Sequence, residues 1–192
     1  MFKKVREILT KYLPKYFYDL PVPFIAVATN FSNGEPIYLE NGNLVDAIMA
    51  SAAYPGVFPT QEINGKSLID GGMTRNLPAG ILQKRGIEFV IGSSLYRIKN
   101  LPEYDLPNIN PNRFSSFLRA MDIIQMELAH YEEKRCDFCF TPPVESFAWY
   151  NFDRFEEIRK VGIDYAIEIR SELEKALKSP KKKSPFWRKI FS

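Results

Sequence analysis

The stretch KSLIDGG, residues 66–72, decides how this chain of 192 residues folds. A short strand leads into Asp70, and Gly71 and Gly72 follow it, where residues without a Cβ let the backbone turn away sharply. Asp and Gly are also ordinary turn residues, so the tripeptide alone fits a plain turn as well. At the end of a buried strand, however, the Asp70 carboxyl lies at the sheet edge where α/β folds bind ligands. A carboxylate held there is suited to act as a general base.

Strand and helix patterns alternate around this stretch. The unbroken apolar run FIAVA, residues 24–28, is typical of a strand covered on both faces in a parallel sheet. Asn33-Gly34 indicates a hairpin or tight bend to the next strand, and Asn43 is suited to cap a helix. We also predict a strand at 36–39, a short helix at 78–85 and a strand at 89–92. The alternation predicts an α/β fold, a layered sandwich with a mostly parallel sheet.

The ends of the chain favour helices and a basic tail. Residues 1–18 place apolar side chains on one helical stripe, which favours a helix packed on the domain. A last helix is expected to begin near Asp153, whose spacing to Glu156 is typical of a capping box. We expect this helix to bury Phe155. We therefore predict one partial domain, residues 1–178, followed by a basic and aromatic tail, residues 179–192.

The charge distribution argues against nucleic-acid binding. Residues 178–192 hold six of the 26 Lys and Arg residues and no acidic residue, so the rest of the chain has 20 basic and 23 acidic side chains. A slightly acidic body lacks the clustered positive surface that a nucleic-acid backbone requires. There is no apolar run of about 18 residues for a membrane span, and the charged N-terminus does not resemble a signal peptide. We therefore expect a cytoplasmic protein.

Cys136 and Cys139 form a lone C-x-x-C pair. Zinc requires about four ligands, and His130, the only histidine, cannot complete a set, so we expect no metal and no cofactor. The pair runs into a proline-rich segment, which indicates a strand ending at prolines, and positions three apart on a strand face opposite sides. We predict two ordinary reduced thiols.

The sequence contains no G-x-S-x-G, the pattern that places a nucleophilic serine on a strained turn. None of the internal candidates has the required flanking glycines: Ser51, Ser67, Ser93 and Ser94. His130 falls on the solvated face of a predicted long helix, so no residue is suited to act as the imidazole of a triad. Hence the candidate base Asp70 has no candidate nucleophile in these residues.

Four segments together resemble the second half of a patatin-like phospholipase domain: PFIAVAT at 23–29, ASAAYPGVFP at 50–59, DGG at 70–72 and NLP at 76–78. The resemblance implies a lipid acyl hydrolase with a Ser-Asp dyad, in which Asp70 is the general base and Gly71 and Gly72 complete its motif. It implies that Asn76 supports the Asp70 loop. Pro55 and Phe58 either line the acyl pocket or form a rigid connection.

The chain departs from that family in two ways. It lacks the serine elbow, and it has no glycine before Gly34, whereas the family's oxyanion donors come from a glycine-rich loop near the start of the domain. The resemblance thus implies an incomplete domain, the C-terminal portion of a hydrolase of lipid or other acyl esters. Either the gene is split or truncated, or a partner chain supplies the serine half, or the chain is a non-catalytic lipid-surface or protein-binding module.

Two physical expectations accompany this interpretation. The tail at 179–192 interleaves cations with aromatic residues, so it is either a peripheral membrane anchor or a disordered solubilising tail. If the sheet continues into absent strands, residues 24–29 or their neighbours become an unpaired apolar edge, and the purified chain should associate.

Overall fold

The structure is a computed structural model, and the residues that it describes lie in three ranges: 2–96, 113–147 and 151–178. They belong to two compact units, each made of two segments of chain, namely Met1–Pro78 with Pro111–Ala129, and Ala79–Asn110 with His130–Ser192. The predicted tail at 179–192 and the proline-rich segment 100–112 lie outside the described residues.

The helices and strands are, in chain order, α1 (Phe2–Tyr12), β1 (Ala26–Asn30), β2 (Pro36–Leu39), α2 (Leu44–Ser51), β3 (Gln61–Ile63), β4 (Lys66–Asp70), α3 (Gly72–Arg75), α4 (Ala79–Lys84), β5 (Ile91–Ser93), α5 (Arg113–Glu133), β6 (Phe138–Phe140), α6 (Phe155–Glu168) and α7 (Arg170–Lys178). Short 3-10 helices lie at Phe17–Asp19 and Phe152–Arg154. The mixture of helices and sheets confirms the predicted α/β class. The predicted parallel sheet, in contrast, is wrong.

The sheet of the first unit is antiparallel at every pairing. Its strand order is β2-β1-β4-β3, with Val27 opposite Tyr38 in β2 and Thr29 opposite Ile69 in β4. The turn at Asn33-Gly34 joins β1 to β2 as the hairpin that the sequence predicts. Two consecutive strands can be parallel only if a long crossover connection joins them. The connection between β1 and β2 is too short for such a crossover.

A second hairpin joins β3 to β4 through Asn64-Gly65, which the sequence analysis overlooked. Ile63 pairs with Lys66, so the turn contains only two residues. Asn64 has φ 52° and Gly65 has φ 72°, the left-handed conformation that a type I′ turn requires at both central positions. This turn sets the register of β4 and therefore the position of Asp70 at its end.

Strand β1 is an internal strand. All five of its residues are buried, because β2 and β4 flank it and α2 packs on its face. The apolar run of β1 therefore reflects coverage within an antiparallel sheet. Of the two alternatives for an unpaired sheet edge, residues 24–29 themselves are excluded, because β1 pairs on both sides, although β4 pairs only with Ala28–Asn30. The edge strands of this sheet are β3 and the neighbouring strand β2.

Helix α2 packs on the sheet and forms the hydrophobic core with it. Asn43 caps the helix as predicted, and its side-chain oxygen accepts a hydrogen bond of 3.0 Å from the Asp46 amide. Leu44 and Ala47 pack in a cluster with Phe17 and Ala26, while Ala50 packs with Ala28 and Leu68. The C-terminal end of α2 is thereby held against the strands that carry the Asp70 loop.

The second unit contains a two-stranded parallel sheet, in which Gly92 of β5 lies opposite Cys139 of β6. The predicted capping box at Asp153 is wrong: Asp153 lies in a 3-10 helix, and α6 begins at Phe155 after an Arg154 that makes no side-chain cap. Phe155 is 59% exposed, so the predicted burial of its side chain is wrong as well.

The two cysteines of the second unit are free thiols. Cys136 lies in the turn before β6, where its amide bonds to the Glu133 carbonyl, and only Cys139 lies on the strand. The two thiols hydrogen-bond to each other, which raises the pKa of Cys136 and lowers that of Cys139. The prediction that they face opposite sides of one strand is therefore wrong.

In the part of the chain that the structure describes, no helix combines the length and apolar character needed to cross a bilayer.

Candidate active site

Asp70 is the last residue of β4, and its backbone is fixed from two directions. Its amide donates to the Ala53 carbonyl at 3.0 Å, just beyond α2. Its carbonyl accepts a hydrogen bond of 2.9 Å from the Thr29 hydroxyl on β1, and that hydroxyl lies 2.9 Å from the hydroxyl of Thr74. These hydrogen bonds hold the end of β4 to β1, to α3 and to the residues after α2, and they thereby fix the position from which the Asp70 side chain extends.

The two glycines after Asp70 are required by close packing. A Cβ on Gly71 would lie 2.1 Å from the Val27 carbonyl oxygen, a backbone atom of β1. A Cβ on Gly72 would lie 2.8 Å from Nε2 of Gln125 and 2.9 Å from Oδ1 of Asp70. A larger residue at Gly71 would displace the Asp70 loop or β1, because the obstructing atoms are backbone, whereas one at Gly72 would push against the side chains of Gln125 and Asp70.

The Asp70 carboxylate is half-buried and accepts few hydrogen bonds. Its Oδ1 accepts a hydrogen bond of 2.6 Å from the Gly72 amide. Burial raises the pKa of the Asp70 carboxyl, and the Gly72 hydrogen bond only partly offsets that increase. Within the described ranges no Lys, Arg or His forms an ion pair with it. A carboxylate in this state is a better proton acceptor than an exposed one.

Asp70 lines a cleft of about 300 Å³. The other lining residues come from the segment entering β1, from the end of α2 and from the loop after β4: Phe24, Ile25, Ala26, Val27, Ser51, Gly71, Gly72, Arg75, Asn76 and Pro78. The lining combines apolar side chains such as Phe24 and Ile25 with the polar side chains of Ser51, Asp70, Arg75 and Asn76. This arrangement suits a ligand with one apolar and one polar part.

The structure brings some of the sequence-predicted residues to this cleft. Gly71, Gly72 and Asn76 line it together with Asp70. The Asn76 side chain donates 3.3 Å to the Gln125 carbonyl, so it ties the loop to α5. Pro55 and Phe58 are not among the lining residues, and the Phe58 ring packs on Phe2 of α1 at 5.3 Å.

Of the serines weighed as nucleophiles, Ser51 lines the cleft. It is the last residue of α2, and its carbonyl accepts a hydrogen bond of 3.3 Å from the Gly71 amide. No strained turn surrounds it, because it continues a regular helix. Ser67 lies within β4, and Ser94 is buried in the second unit with its hydroxyl accepting from the Tyr96 amide.

Three residues beside the Asp70 loop were not predicted from the sequence. Gln125 of α5 is 6% exposed and packs over Gly72, and Thr29 bonds the Asp70 carbonyl. Arg75, at the end of α3, contributes the cleft's positive charge. Gln125 and Thr29 are distant from Asp70 in sequence, so no local pattern connects them. Arg75 lies only five residues after Asp70, so its closeness in sequence could have indicated that it lies near the base.

Among the described residues, no three His, Cys, Asp or Glu side chains form a group that could hold a metal ion.

Comparison with known families identifies the segment that carries this cleft. The sequence model of the patatin-like phospholipase family matches residues 2–82, which include every lining residue. These residues are therefore similar in sequence to patatin-like phospholipases. The patatin-like segment therefore contains the whole four-stranded sheet, α2 and the Asp70 loop.

Several curated proteins are similar over most of the chain. A lysophospholipase NTE1 of Candida albicans is 26% identical over 183 residues, which are 85% of this chain and 13% of that protein. A patatin-like phospholipase domain-containing protein of Caenorhabditis elegans is 27% identical over 177 residues, 81% of this chain and 13% of that protein. An uncharacterized NTE family protein of Mycobacterium tuberculosis is 32% identical over 117 residues, 60% of this chain and 32% of that protein.

The chain spans about an eighth of the length of the first two relatives. These relatives extend the similarity beyond the patatin-like segment, since the aligned lengths exceed residues 2–82.

Proposed function

We propose that the chain is the aspartate-bearing part of a patatin-like lipid acyl hydrolase, with Asp70 as the general base. The observation that carries the proposal is the state of Asp70: it is half-buried in a cleft, it has a raised pKa, and among the described residues no cation forms an ion pair with it. The name of the Candida albicans relative, a lysophospholipase, favours a lipid ester as the substrate.

In the proposed reaction, a serine from a G-x-S-x-G elbow outside these 192 residues lies within reach of Asp70. Asp70 takes the serine hydroxyl proton while the serine oxygen bonds to the ester carbonyl carbon. The bond from that carbon to the alcohol oxygen then breaks, and the leaving alcohol receives the proton from Asp70. Asp70 then takes a proton from water as the water oxygen bonds to the acyl carbon; the bond from that carbon to the serine oxygen breaks, the serine oxygen receives the proton from Asp70, and the fatty acid is released. Such base catalysis contributes about a hundred- to ten-thousandfold in rate.

The serine half is sought first in the DNA upstream of this reading frame, where the proposal expects a glycine-rich loop and a G-x-S-x-G elbow. The chain is then produced together with that polypeptide, and hydrolysis of a short-chain ester and of a lysophospholipid is measured. Co-purification of the two polypeptides would support assembly of a shared site. Absence of an elbow both upstream and in every co-purifying polypeptide would contradict the proposal.

Three variants make the activity assay specific. Asp70→Asn is expected to reduce hydrolysis by about a hundredfold or more. Asp122→Asn is the matched control, because Asp122 is another partly buried carboxyl of the same unit, with a raised pKa and a hydrogen bond from Tyr54. Ser51→Ala should leave activity unchanged. Activity of the chain alone that disappears on Ser51→Ala would show that the nucleophile is internal and would overturn the proposal.

A second candidate function is a non-catalytic module that binds lipid surfaces. The sequence of residues 179–192 favours it, because Lys181, Lys182 and Lys183 precede Trp187 and Phe191, and cations with aromatic rings favour an anionic lipid interface. The test is cosedimentation with anionic vesicles. Binding should disappear when residues 178–192 are removed and should persist in Asp70→Asn.

A further inference from the structure

Two of the residues that line the cleft carry charge, Asp70 and Arg75. Arg75 is the last residue of α3, so the tight turn after Asp70 brings it to the same cleft five residues later. Its side chain is exposed, whereas Asp70 is half-buried. The cleft therefore has a withdrawn acidic group and an accessible basic group.

The Arg75 guanidinium has spare bonding capacity. Its Nη1 donates 2.8 Å to the Thr74 carbonyl, and within the described ranges it forms no ion pair with an acidic side chain. A guanidinium carries five N–H donors in a planar fork, so most of them remain available to a ligand. Asp70 does not neutralise it, because a cation in contact would lower the pKa of that carboxyl, and the pKa is raised.

We propose that Arg75 binds the phosphate of the substrate while the ester carbonyl lies at Asp70. This proposal rests on the proposed function and assigns the cleft residue that selects a phosphorylated lipid ester over an uncharged one. A guanidinium matches a phosphate with two parallel hydrogen bonds, which supply orientation as well as affinity. With the phosphate at Arg75, the reacting ester is held within reach of the base.

The dimensions of the cleft agree with this assignment. A volume of about 300 Å³ is at the small end for ligand sites, so it holds a glycerophosphate and the first carbons of the acyl chain rather than a whole lipid. Phe24 is 42% exposed and lines the cleft together with Ile25, so these two side chains offer an apolar surface on which the emerging acyl chain would pack. The polar end of the ligand would then contact Arg75 and Asn76.

The test is equilibrium binding of two matched probes, because binding requires no turnover. Decanoyl lysophosphatidate carries an ester and a phosphate, and monodecanoylglycerol carries the same ester without the phosphate. Calorimetric titration below the micelle concentration measures both affinities for the full chain and its variants. Inorganic phosphate is a third probe, which separates a lipid phosphate from a free one.

We expect Arg75→Gln to weaken lysophosphatidate binding by about 10- to 100-fold, as hydrogen bonds to charged groups do, and to leave monodecanoylglycerol binding unchanged. Arg75→Lys should retain part of the affinity, because it keeps the charge without the planar fork. Arg170→Gln is the control, since Arg170 lies on α7 and pairs with Glu174 on the surface. Inorganic phosphate that binds as tightly as lysophosphatidate, in an Arg75-dependent way, would support the phosphate site and assign it to free phosphate.

Unchanged lysophosphatidate binding in Arg75→Gln would overturn the proposal, as would an equal loss in Arg170→Gln. Equal loss of both lipid probes in Arg75→Gln would also overturn it, because Arg75 would then maintain the cleft rather than bind phosphate. Asp70→Asn separates the two hypotheses. If hydrolysis in the assembled enzyme survives that change while phosphate binding depends on Arg75, the catalytic assignment fails and the binding assignment stands.

Discussion

Gly71 is a position at which the structure predicts a large effect of adding a single carbon. In Gly71→Ala the new Cβ would lie 2.1 Å from the Val27 carbonyl oxygen and 2.6 Å from its carbonyl carbon. Ordinary carbon–oxygen contacts begin at about 3.3 Å, so the loop or β1 must shift by about 1 Å. Because the obstructing atoms are backbone, no side chain can rotate away. We expect a loss of about 3 kcal/mol of unfolding free energy, the upper part of the range for overpacking.

The assay is urea denaturation followed by far-UV circular dichroism, with Gly162→Ala as the matched control. Gly162 lies in α6, and a Cβ there meets nothing within 4 Å. Alanine in a helix is favoured over glycine, so the control should gain about 0.5–1 kcal/mol. A Gly71→Ala variant as stable as the unmodified chain would refute the packing reasoning, and equal losses at both positions would show a generic effect of substitution.

Three further substitutions test the region around the site. Asp70→Asn should raise the unfolding free energy at neutral pH, because burial raises the pKa of the Asp70 carboxyl and disfavours its charged form in the folded state. The gain in unfolding free energy should be complete above that raised pKa and should vanish as the pH falls below about 4, the pKa of an Asp carboxyl in the unfolded chain. Urea denaturation at a series of pH values would measure it. A gain that grows toward low pH would contradict the burial. Asn43→Ala should cost about 1 kcal/mol through loss of the α2 cap, measured by thermal melting, and an unchanged melting temperature would count against the cap. Leu68→Ala should cost about 2–5 kcal/mol in the same denaturation assay, because Leu68 is 1% exposed in the core, and a cost below 1 kcal/mol would refute that placement.

The sequence predicted those features that depend on neighbouring residues. The Asn43 cap, the Asn33-Gly34 hairpin and the strand that ends at Asp70 each follow from side chains a few positions apart. Local hydrogen bonding and backbone preference decide these features, so a pattern of adjacent residues is sufficient to find them.

The direction of the sheet depends on long-range pairing, and there the prediction failed. The buried run of β1 looks the same in a parallel sheet and in the middle of an antiparallel one. The deciding signal was Asn64-Gly65, a two-residue turn that a parallel arrangement does not allow. That signal was present in the sequence and was overlooked.

The candidate site divides in the same way. Asp70, Gly71 and Gly72 were found because they are contiguous, and the structure brings them to a cleft. Gln125 packs over Gly72 from α5, and only the tertiary fold brings it there. The pKa of Asp70 likewise depends on its burial, which no spacing in the sequence encodes.

The claim that Asp70 serves as an unneutralised base is tested most directly by an NMR titration of its carboxyl carbon in the folded chain, with Asp70→Asn used to assign the signal. We expect a midpoint above the ordinary value of about 3.9, and a single transition. A midpoint at or below that value would mean that a cation or additional hydrogen-bond donors hold the carboxylate, and it would contradict the assignment of Asp70 as the general base.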